Sequence, residues 1–354
     1  MNIILHPQFK LNGHQFKTAD EVIFFTKLIN DEAHQFLINW FDESPFLKVT
    51  TSGSTGHPKE IKLKKEYMMN SAKATGAYFN LAENTTALLC MSPKYIAGKM
   101  MLVRAMVLGW DLDIVEPESN PLVNNKKHYD FCAMVPLQMV ASLNELHRIK
   151  ILIIGGGTVS NSLKNKLQNL KTEVYATYGM TETITHIAIQ KLNHQQTDFF
   201  ECLPDIKVSK DVRNCLLIDA PKIADERVIT NDIIELKNET TFKWLGRFDN
   251  VINSGGVKLF PEQIEMKLAE IIENRFFIAS VPDELLGEKV ILIIESSPFS
   301  DAVLQIIKDK IKSKLSTYEV PKLIYFTPHF IETGSKKIQR SKTLDLIWNR
   351  PKNY

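Results

Sequence analysis

Short apolar segments alternate with helical segments through residues 87–176, and this alternation constrains the fold more than any other feature. The pattern predicts strands at residues 87–91, 112–115, 131–135, 151–154 and 174–176. Apolar residues at helical spacing predict helices between them, at residues 100–108, 137–146 and 162–170. Because continuous apolar strands joined by helices are typical of a parallel sheet covered on both faces, we predict an α/β fold.

Two other patterns follow this alternation. Five short strands come in close succession at residues 186–189, 206–208, 215–218, 228–229 and 233–236, and they predict a distorted antiparallel β region. After residue 246, a pattern of helices and strands predicts a separate small α+β domain. A multi-domain α/β chain is therefore expected, with an N-terminal domain of mixed and parallel sheets at residues 1–248 and a C-terminal domain at residues 249–354.

Composition argues against several classes of protein. With 43 basic and 41 acidic residues, the net charge of +2 gives no reason to expect nucleic acid as a partner. No segment has the length of a membrane span or the pattern of a signal peptide, so we expect a cytoplasmic protein without a membrane partner. The cysteines (Cys90, Cys132, Cys202 and Cys215) form no C-x-x-C and the histidines form no metal-binding pair, which predicts reduced, buried thiols and no histidine-bound metal.

A loop rich in glycine, serine and threonine occupies residues 50–59, between a predicted strand at 46–49 and a helical pattern at 64–81. Its backbone N–H groups, hydroxyls and lysine are suited to a polyphosphate. A flexible linker would not need Pro58-Lys59 at its end. A Walker A loop would need glycine at Pro58 and a hydroxyl residue at Glu60, so this is a phosphate loop of another kind.

Five further polar motifs follow in order. They are Gly155-Gly156-Gly157, Tyr178-Gly179-Met180-Thr181-Glu182, Thr230-Asn231-Asp232, Gly246-Arg247-Phe248-Asp249 with Gly255-Gly256, and Lys337-Ile338-Gln339-Arg340. Taken singly, each also fits a structural interpretation: a tight turn, a capped helix start, an aspartate at a β turn, a turn-rich linker and a solvated basic face.

The ordered set of six motifs resembles the adenylate-forming superfamily of acyl-CoA synthetases, luciferases and peptide-synthetase adenylation domains, over residues 46–343. This resemblance implies an enzyme, an AMP-forming acid–CoA ligase whose substrates are ATP, a small carboxylic acid and coenzyme A, with Mg²⁺. The acid would first displace pyrophosphate from ATP, and the thiol would then attack the acyl adenylate and release AMP.

The resemblance also assigns roles by position. Residues Thr51, Ser52, Gly53, Ser54, Thr55, Gly56 and Lys59 would hold the β- and γ-phosphates; Gly155, Gly156, Gly157, Tyr178 and Gly179 would form the adenine site; Asp232 and Arg247 would hold the ribose. Thr181 and Glu182 would contact the α-phosphate and Mg²⁺, and Lys337 would be the lysine of adenylation. Asp249 would be the hinge of a mobile C-terminal domain, and Gly255 and Gly256 would line the passage for CoA.

Three departures accompany the resemblance. Asn231 replaces the usual glycine, and Lys336 replaces the glycine before the catalytic lysine, so Lys336 and Lys337 both stay candidates although the spacing to Arg340 favours Lys337. The phosphate loop begins at residue 50, which implies a shortened first subdomain.

Two stretches, residues 92–104 and 183–188, are candidates for the acyl pocket. A compact chain with these stretches is similar to the short-form o-succinylbenzoate–CoA ligases of menaquinone biosynthesis, whose acid carries a second carboxylate. That resemblance implies a cation in the pocket, either Lys99 or Arg104, with Tyr95 and His186 as further candidates. An arginine that pairs on its own helix and a hydrogen-bonded sheet histidine are equal alternatives.

Other functions stay open at this stage. Another aryl- or acyl-CoA synthetase would carry the same motifs, and a non-catalytic nucleotide-binding homologue is a different class of answer. Lys59, Glu182, Asp232 and Lys337 argue against the latter. No carrier-protein serine motif follows residue 340, which favours CoA as the acceptor, and a homodimer is compatible with the sequence.

Overall fold

The computed structural model describes residues 5–50, 60–157, 159–333 and 337–348 of the 354-residue chain. The helices are α1 (Ala19–Ile29), α2 (Asp31–Phe41), α3 (Lys65–Phe79), α4 (Ile96–Leu108), α5 (Pro136–Ala141), α6 (Asn161–Leu167), α7 (Pro261–Leu268), α8 (Asp301–Lys314) and α9 (Arg340–Trp348). Short 3₁₀ helices lie at Leu146–Arg148, Thr181–Thr183 and Phe248–Asn250.

The strands are β1 (Lys10–Leu11), β2 (His14–Gln15), β3 (Phe46–Thr50), β4 (Glu60–Lys64), β5 (Thr86–Leu89), β6 (Asp111–Ile114), β7 (Tyr129–Met134), β8 (Ile149–Ile154), β9 (Glu173–Gly179), β10 (His186–Lys191), β11 (Phe200–Cys202), β12 (Lys207–Lys210), β13 (Cys215–Asp219), β14 (Val228–Asn238), β15 (Thr241–Arg247), β16 (Ile252–Ser254), β17 (Val257–Leu259), β18 (Phe276–Asp283), β19 (Gly287–Glu295) and β20 (Leu323–Thr327).

One 13-stranded sheet contains both the parallel and the antiparallel strands of the large region. Its order is β12-β13-β14-β15-β11-β10-β9-β8-β7-β5-β6-β1-β2. Strands β5 to β9 pair in parallel, and the pairing becomes antiparallel between β9 and β10. The predicted antiparallel region is therefore continuous with the parallel sheet, and β9, which ends in Tyr178-Gly179, lies where the two meet.

Apolar side chains cover both faces of the parallel strands, as predicted. One cluster joins Met68 and Ala72 of α3 and Met100 and Met106 of α4 to the sheet. A second cluster on alternate strand positions includes Met139 of α5 and Leu167 of α6, together with Cys90 and Cys132. All four cysteines are buried and free, which confirms the prediction of reduced thiols.

Two predictions about local structure were wrong. The helix expected through residue 146 ends at Ala141, because the Ser142 hydroxyl donates to Asn120 Oδ1 (3.0 Å) and the backbone turns there. The strands expected at 228–229 and 233–236 are one strand, β14, so Asp232 lies inside a strand and not at a turn. The physical reason is that β14 pairs with β13 on both sides of Asp232 and with β15 at Asp232 itself, while side-chain donors on other strands compensate for burial of the carboxylate, as described below.

A second sheet lies in the C-terminal part of the chain. It has the order β17-β16-β19-β18, with β20 parallel to β19, and α7 and α8 pack on it. Its two apolar clusters contain only residues from Ile252 onward, whereas the clusters of the large sheet end at Phe242. This separation supports a boundary near Asp249, which stays a prediction. Within the described ranges, no helix has the length and apolar character that crossing a membrane requires.

Candidate active site

A cavity of about 440 Å³ lies between the large sheet and the C-terminal elements. Its walls include residues from four of the predicted motifs: Gly156 and Gly157, Tyr178 and Gly179, Asp232, and Lys337. The remaining walls come from α6, β10, β11, β15 and α7. The fold thus brings together residues that are up to 181 positions apart in the sequence, from Gly156 to Lys337.

Asp232 is a buried carboxylate held by side chains of two other strands. The Tyr178 hydroxyl donates to Oδ2 at 2.6 Å and Trp244 Nε1 donates to Oδ1 at 3.1 Å. Arg247 on β15 lies directly across from Asp232, with its guanidinium 3.7 Å from Oδ1. Burial, together with the charge of Asp232, holds the pKa of Tyr178 well above its ordinary value, so Tyr178 stays a protonated donor. A carboxylate fixed in this way can accept hydrogen bonds from ribose hydroxyls.

A β-bulge explains how Trp244 and Arg247 both reach Asp232. Between two consecutive residues of β14, Ile233 and Ile234, the register on β15 moves by two, from Gly246 to Trp244. Side chains three positions apart normally point to opposite faces of a strand, and the extra residue returns them to one face. Sequence reasoning missed Trp244, and its position close before Gly246-Arg247 was the one signal available.

The turn at Tyr178-Gly179 is tightly packed. The Tyr178 ring makes edge contacts with Phe242 and Phe200, at centroid distances of 5.2 and 5.9 Å. A Cβ on Gly179 would lie 2.2 Å from the carbonyl oxygen of Thr185, so only glycine fits there. These contacts fix the tyrosine ring on the wall that Gly156 and Gly157 share.

Thr181 and Glu182 lie in a 3₁₀ helix that ends in a strained residue. Ile184 has φ +67° and ψ −63°, which is unfavourable for a β-branched side chain, and it is held there by burial. The exposed Glu182 borders a second cavity of about 310 Å³ together with Tyr67 and strand β4. Across residues 5–50, 60–157, 159–333 and 337–348, the Glu182 carboxylate has no hydrogen bond or ion pair. An unpaired carboxylate of this kind fits the preference of Mg²⁺ for oxygen ligands.

The predicted phosphate loop, Thr51 to Lys59, lies outside the described residues. Its two ends are adjacent, because Thr50 of β3 pairs with Glu60 of β4. Strand β4, which follows the loop, borders the cavity that contains Glu182 through residues 61–64.

Lys337 has an exposed side chain and borders the cavity that Tyr178 and Asp232 share, which is the candidate nucleotide cavity. Its backbone N–H donates to Thr333 Oγ1 (3.1 Å), and three residues later Arg340 makes two ion-pair contacts with Glu265 of α7, at 2.8 and 2.9 Å. Burial raises the pKa of Glu265 to about 7 even beside this guanidinium. Lys336, the other candidate lysine, lies outside the described residues.

Helix α7 contacts the large sheet next to the predicted hinge. The Gln263 side-chain amide donates to the carbonyl oxygens of Trp244 (3.2 Å) and Leu245 (2.9 Å). Asp249 accepts a hydrogen bond from Asn231 (3.3 Å), whose own Oδ1 accepts one from Arg213 (2.9 Å). The asparagine that replaces the usual glycine therefore contacts the predicted hinge. Gly255 and Gly256 form the β16–β17 turn with φ of +58° and +80°, and they do not border the nucleotide cavity.

Arg104 is a buried cation without a carboxylate partner in the described part of the chain. Its Nε donates to Thr75 Oγ1 and one terminal nitrogen to His186 Nδ1, both at 3.4 Å, while the other approaches the sulfur of Met101 at 3.7 Å. His186 Nε2 lies 3.4 Å from Thr75 Oγ1. Burial, and then the charge of Arg104, lowers the pKa of His186 well below its ordinary value, so the histidine is neutral. His186 and Ser71 line a cavity of about 190 Å³. The Ser71 hydroxyl is buried and has no hydrogen-bond partner in the described part of the chain.

The other two candidates for the acyl pocket lie apart from Arg104. Lys99 donates to the carbonyl oxygens of Pro93 (2.7 Å) and Lys94 (2.6 Å), which fixes the segment before α4. Tyr95 precedes α4 and is 54% exposed. Neither these two residues nor Arg104 lines the cavity at His186 or the nucleotide cavity, and Arg104 is connected to the former through its hydrogen bond to His186.

Comparisons with known proteins agree with this geometry. A family model described as AMP-binding enzyme matches residues 30–204. The chain is similar to the crystal structure of an acyl-CoA synthetase (AMP-forming)/AMP-acid ligase II-like protein from Dyadobacter fermentans, with 38% identity, coverage of 89% of this chain and 93% of that chain, and a TM-score of 0.60.

Two more distant proteins are also similar. A 2-succinylbenzoate–CoA ligase from Geobacillus is 24% identical over 84% of this chain and 68% of its own length. The O-succinylbenzoate coenzyme A synthetase of Bacillus subtilis, solved with ATP and a magnesium ion, has a TM-score of 0.73 at 17% identity and covers 93% of this chain and 82% of that chain. This second likeness is one of fold.

Proposed function

Because this chain belongs to the family of AMP-binding enzymes, we propose that it joins a carboxylic acid to the thiol of coenzyme A, with ATP as co-substrate and an acyl adenylate as intermediate. The acid is o-succinylbenzoate, and the product is the o-succinylbenzoyl thioester of menaquinone biosynthesis. One observation carries this proposal: Asp232, fixed by Tyr178 and Trp244, borders the same cavity as Lys337. The residue proposed to hold the ribose and the lysine proposed to contact the reacting phosphate thus border one cavity, which supports the proposal.

In the first step, the substrate carboxylate attacks the α-phosphorus of ATP and pyrophosphate leaves. Residues 51–59 hold the β- and γ-phosphates, while Asp232 and Arg247 hold the ribose. The ammonium of Lys337 stabilises the negative charge that develops on the α-phosphate oxygens. Catalysis of this kind depends on positioning and on electrostatic stabilisation.

Glu182 is the residue that would hold Mg²⁺, with Thr181 next to the α-phosphate. When bound, the metal neutralises charge on the phosphate oxygens. The strained residue Ile184 ends the 3₁₀ helix that carries both residues, and backbone strain persists only where the surrounding packing enforces it.

In the second step, the CoA thiol attacks the acyl carbon and AMP leaves. The C-terminal domain, residues 249–354, turns about Asp249, removes Lys337 and brings the Gly255-Gly256 turn to the passage for CoA. Two features support this proposal: the apolar clusters on either side of Asp249 share no residues, and the polar contacts between Gln263 and β15 can be exchanged for water.

Arg104 is the cation that pairs with the second carboxylate of the acid. Its guanidinium is buried and lacks a carboxylate partner within the described ranges, and a bound anion would supply one. Lys99 is the less suitable candidate, because two backbone carbonyl oxygens already satisfy its ammonium.

A thioester assay with a panel of acids tests the proposal. The purified protein is incubated with ATP, Mg²⁺, CoA and either o-succinylbenzoate, benzoate or a fatty acid, and thioester and AMP are quantified together. We expect both products in equal amounts, with o-succinylbenzoate preferred. Preference for a monocarboxylic acid would reassign the substrate, and a protein that binds ATP but activates no acid would be a non-catalytic nucleotide binder.

A further inference from the structure

Lys164 is a buried lysine that borders the nucleotide cavity and has no assigned role. It lies on α6 and is 6% exposed, and in the described part of the chain its ammonium makes no hydrogen bond or ion pair. Two other lysines on the same walls are paired: Lys243 with Asp198 at 3.2 Å and Lys267 with Glu319 at 2.6 Å. Lys164 therefore differs from Lys243 and Lys267 in facing the cavity without a protein partner among the described residues.

Partial burial makes the charged form of Lys164 less favourable in the nucleotide-free protein than in water. Burial lowers the pKa of Lys164, while Asp198 raises it and Lys243 lowers it, so the nearby charges oppose each other. A buried charge is costly unless an acceptor compensates for it. A molecule bound in the cavity can supply that acceptor.

The surroundings of Lys164 indicate which part of a nucleotide it meets. Its helix follows Gly155-Gly156-Gly157, and it shares the cavity wall with Tyr178 and Phe200, the aromatic side of the site. Glu182, the proposed Mg²⁺ ligand, borders a different cavity, whereas Lys337, the proposed contact of the α-phosphate, borders the same cavity as Lys164 but comes from the C-terminal part of the chain. An ammonium is only a donor, and a purine presents ring nitrogens as acceptors.

We propose that Lys164 recognises the base of ATP, with Nζ donating a hydrogen bond to an acceptor nitrogen of the purine ring. This proposal rests on the proposed function for the identity of the nucleotide. It makes Lys164 a residue that determines base specificity, in addition to the backbone and tyrosine contacts of the adenine site.

The test compares Lys164→Met with Lys166→Met, an exposed lysine two positions along the same helix. In acid-dependent pyrophosphate exchange, we expect Lys164→Met to raise the KM for ATP about tenfold with little change in kcat, because a hydrogen bond from a charged donor is lost. Lys166→Met should match the wild type. The melting temperature of the nucleotide-free Lys164→Met protein should not fall, because an unpaired buried charge is removed.

Base analogues identify the acceptor. Among 1-deaza-, 3-deaza- and 7-deaza-ATP, one analogue should have a KM in the wild type that exceeds the KM for ATP by the same factor as Lys164→Met does. For that analogue, Lys164→Met should cause no further increase in KM. An unchanged KM for ATP in Lys164→Met would overturn the proposal. The proposal would also be overturned if Lys164→Met raised the KM by the same factor for ATP and for all three analogues, because the ammonium would then contact the phosphates.

Calorimetry separates this proposal from the proposed function. If the wild type exchanged no pyrophosphate with any acid, the proposed function would fail. The dissociation constants of ATP and the three analogues for wild type and Lys164→Met would still show whether Lys164 contacts the base.

Discussion

The substitution Arg104→Met tests how this chain selects its acid. Burial lowers the pKa of Arg104 to about 10, more than two pH units below its ordinary value, and at about 1.4 kcal/mol per unit the charged form is disfavoured by roughly 3 kcal/mol. Its two hydrogen bonds, to Thr75 and His186, offset about 1 kcal/mol each. Methionine fills similar space without the charge, so we expect the free protein to gain about 1 kcal/mol of stability.

The same substitution should damage catalysis with a dicarboxylic acid. A hydrogen bond between charged groups contributes about 1.5–3 kcal/mol, which corresponds to a loss of roughly 10- to 150-fold in kcat/KM for o-succinylbenzoate. Benzoate has no second carboxylate, so its kcat/KM should not change. The assays are pyrophosphate exchange with both acids and thermal unfolding, where a gain of 1 kcal/mol would appear as a rise of about 2–4 °C.

Lys99→Met is the matched control, since Lys99 is the other candidate cation. It should lower stability through the loss of its bonds to Pro93 and Lys94, and it should leave the preference for o-succinylbenzoate intact. Equal losses with both acids in Arg104→Met would refute the reasoning, because the arginine would then have only a structural role. Loss of the preference in Lys99→Met would assign the carboxylate to that lysine.

Three further predictions concern the nucleotide and the C-terminal domain. Lys337→Ala should lower the rate of adenylate formation at least 100-fold yet spare thioester formation from a supplied acyl adenylate. Single-turnover assays measure the rate of each half-reaction. An equal loss of rate in both would exclude Lys337 as the lysine of adenylation. Lys59→Ala should weaken ATP binding far more than AMP binding in calorimetry, because the proposed function assigns Lys59 to the β- and γ-phosphates, which AMP lacks. Glu265→Gln should flatten the pH dependence of stability. Burial raises the pKa of Glu265 from 4.5 to about 7 in the folded protein. The stability that protonated Glu265 contributes is therefore complete below pH 4.5 and is lost as the pH rises through 7. Chemical unfolding at pH 5 and pH 8 measures this, and an unchanged pH dependence in the variant would contradict it.

The alternation of strands and helices could be predicted because it depends on local periodicity. Strands β5 to β9 lie where the apolar runs placed them, within one to three residues at each end. The helix α4 begins at Ile96, earlier than predicted, and runs through Gly98. A Cβ on Gly98 would lie 2.4 Å from the carbonyl oxygen of Ser92, so a residue that normally weakens helices is required there by a close contact.

The missed features depend on contacts between distant residues. Asp232 was assigned to a turn because three polar residues separate two apolar pairs. Pairing of β14 with β13 and β15 continues the strand through it, and donors on β9 and β15 compensate for burial of its carboxylate. The bulge that aligns Trp244 with Arg247 leaves no signal in the sequence. Lys164 resembles any lysine on an amphipathic helix until the fold places it against the cavity.

Exchange of labelled pyrophosphate into ATP, measured without CoA, tests the central claim most directly. The reaction requires that the acid and ATP form an acyl adenylate and pyrophosphate reversibly, so it isolates the first step from thiol transfer. We predict exchange that depends on o-succinylbenzoate and on Mg²⁺ and that is lost in Lys337→Ala. Exchange without any acid, or ATP binding without exchange for every acid in the panel, would contradict the assignment of this chain as an adenylating ligase.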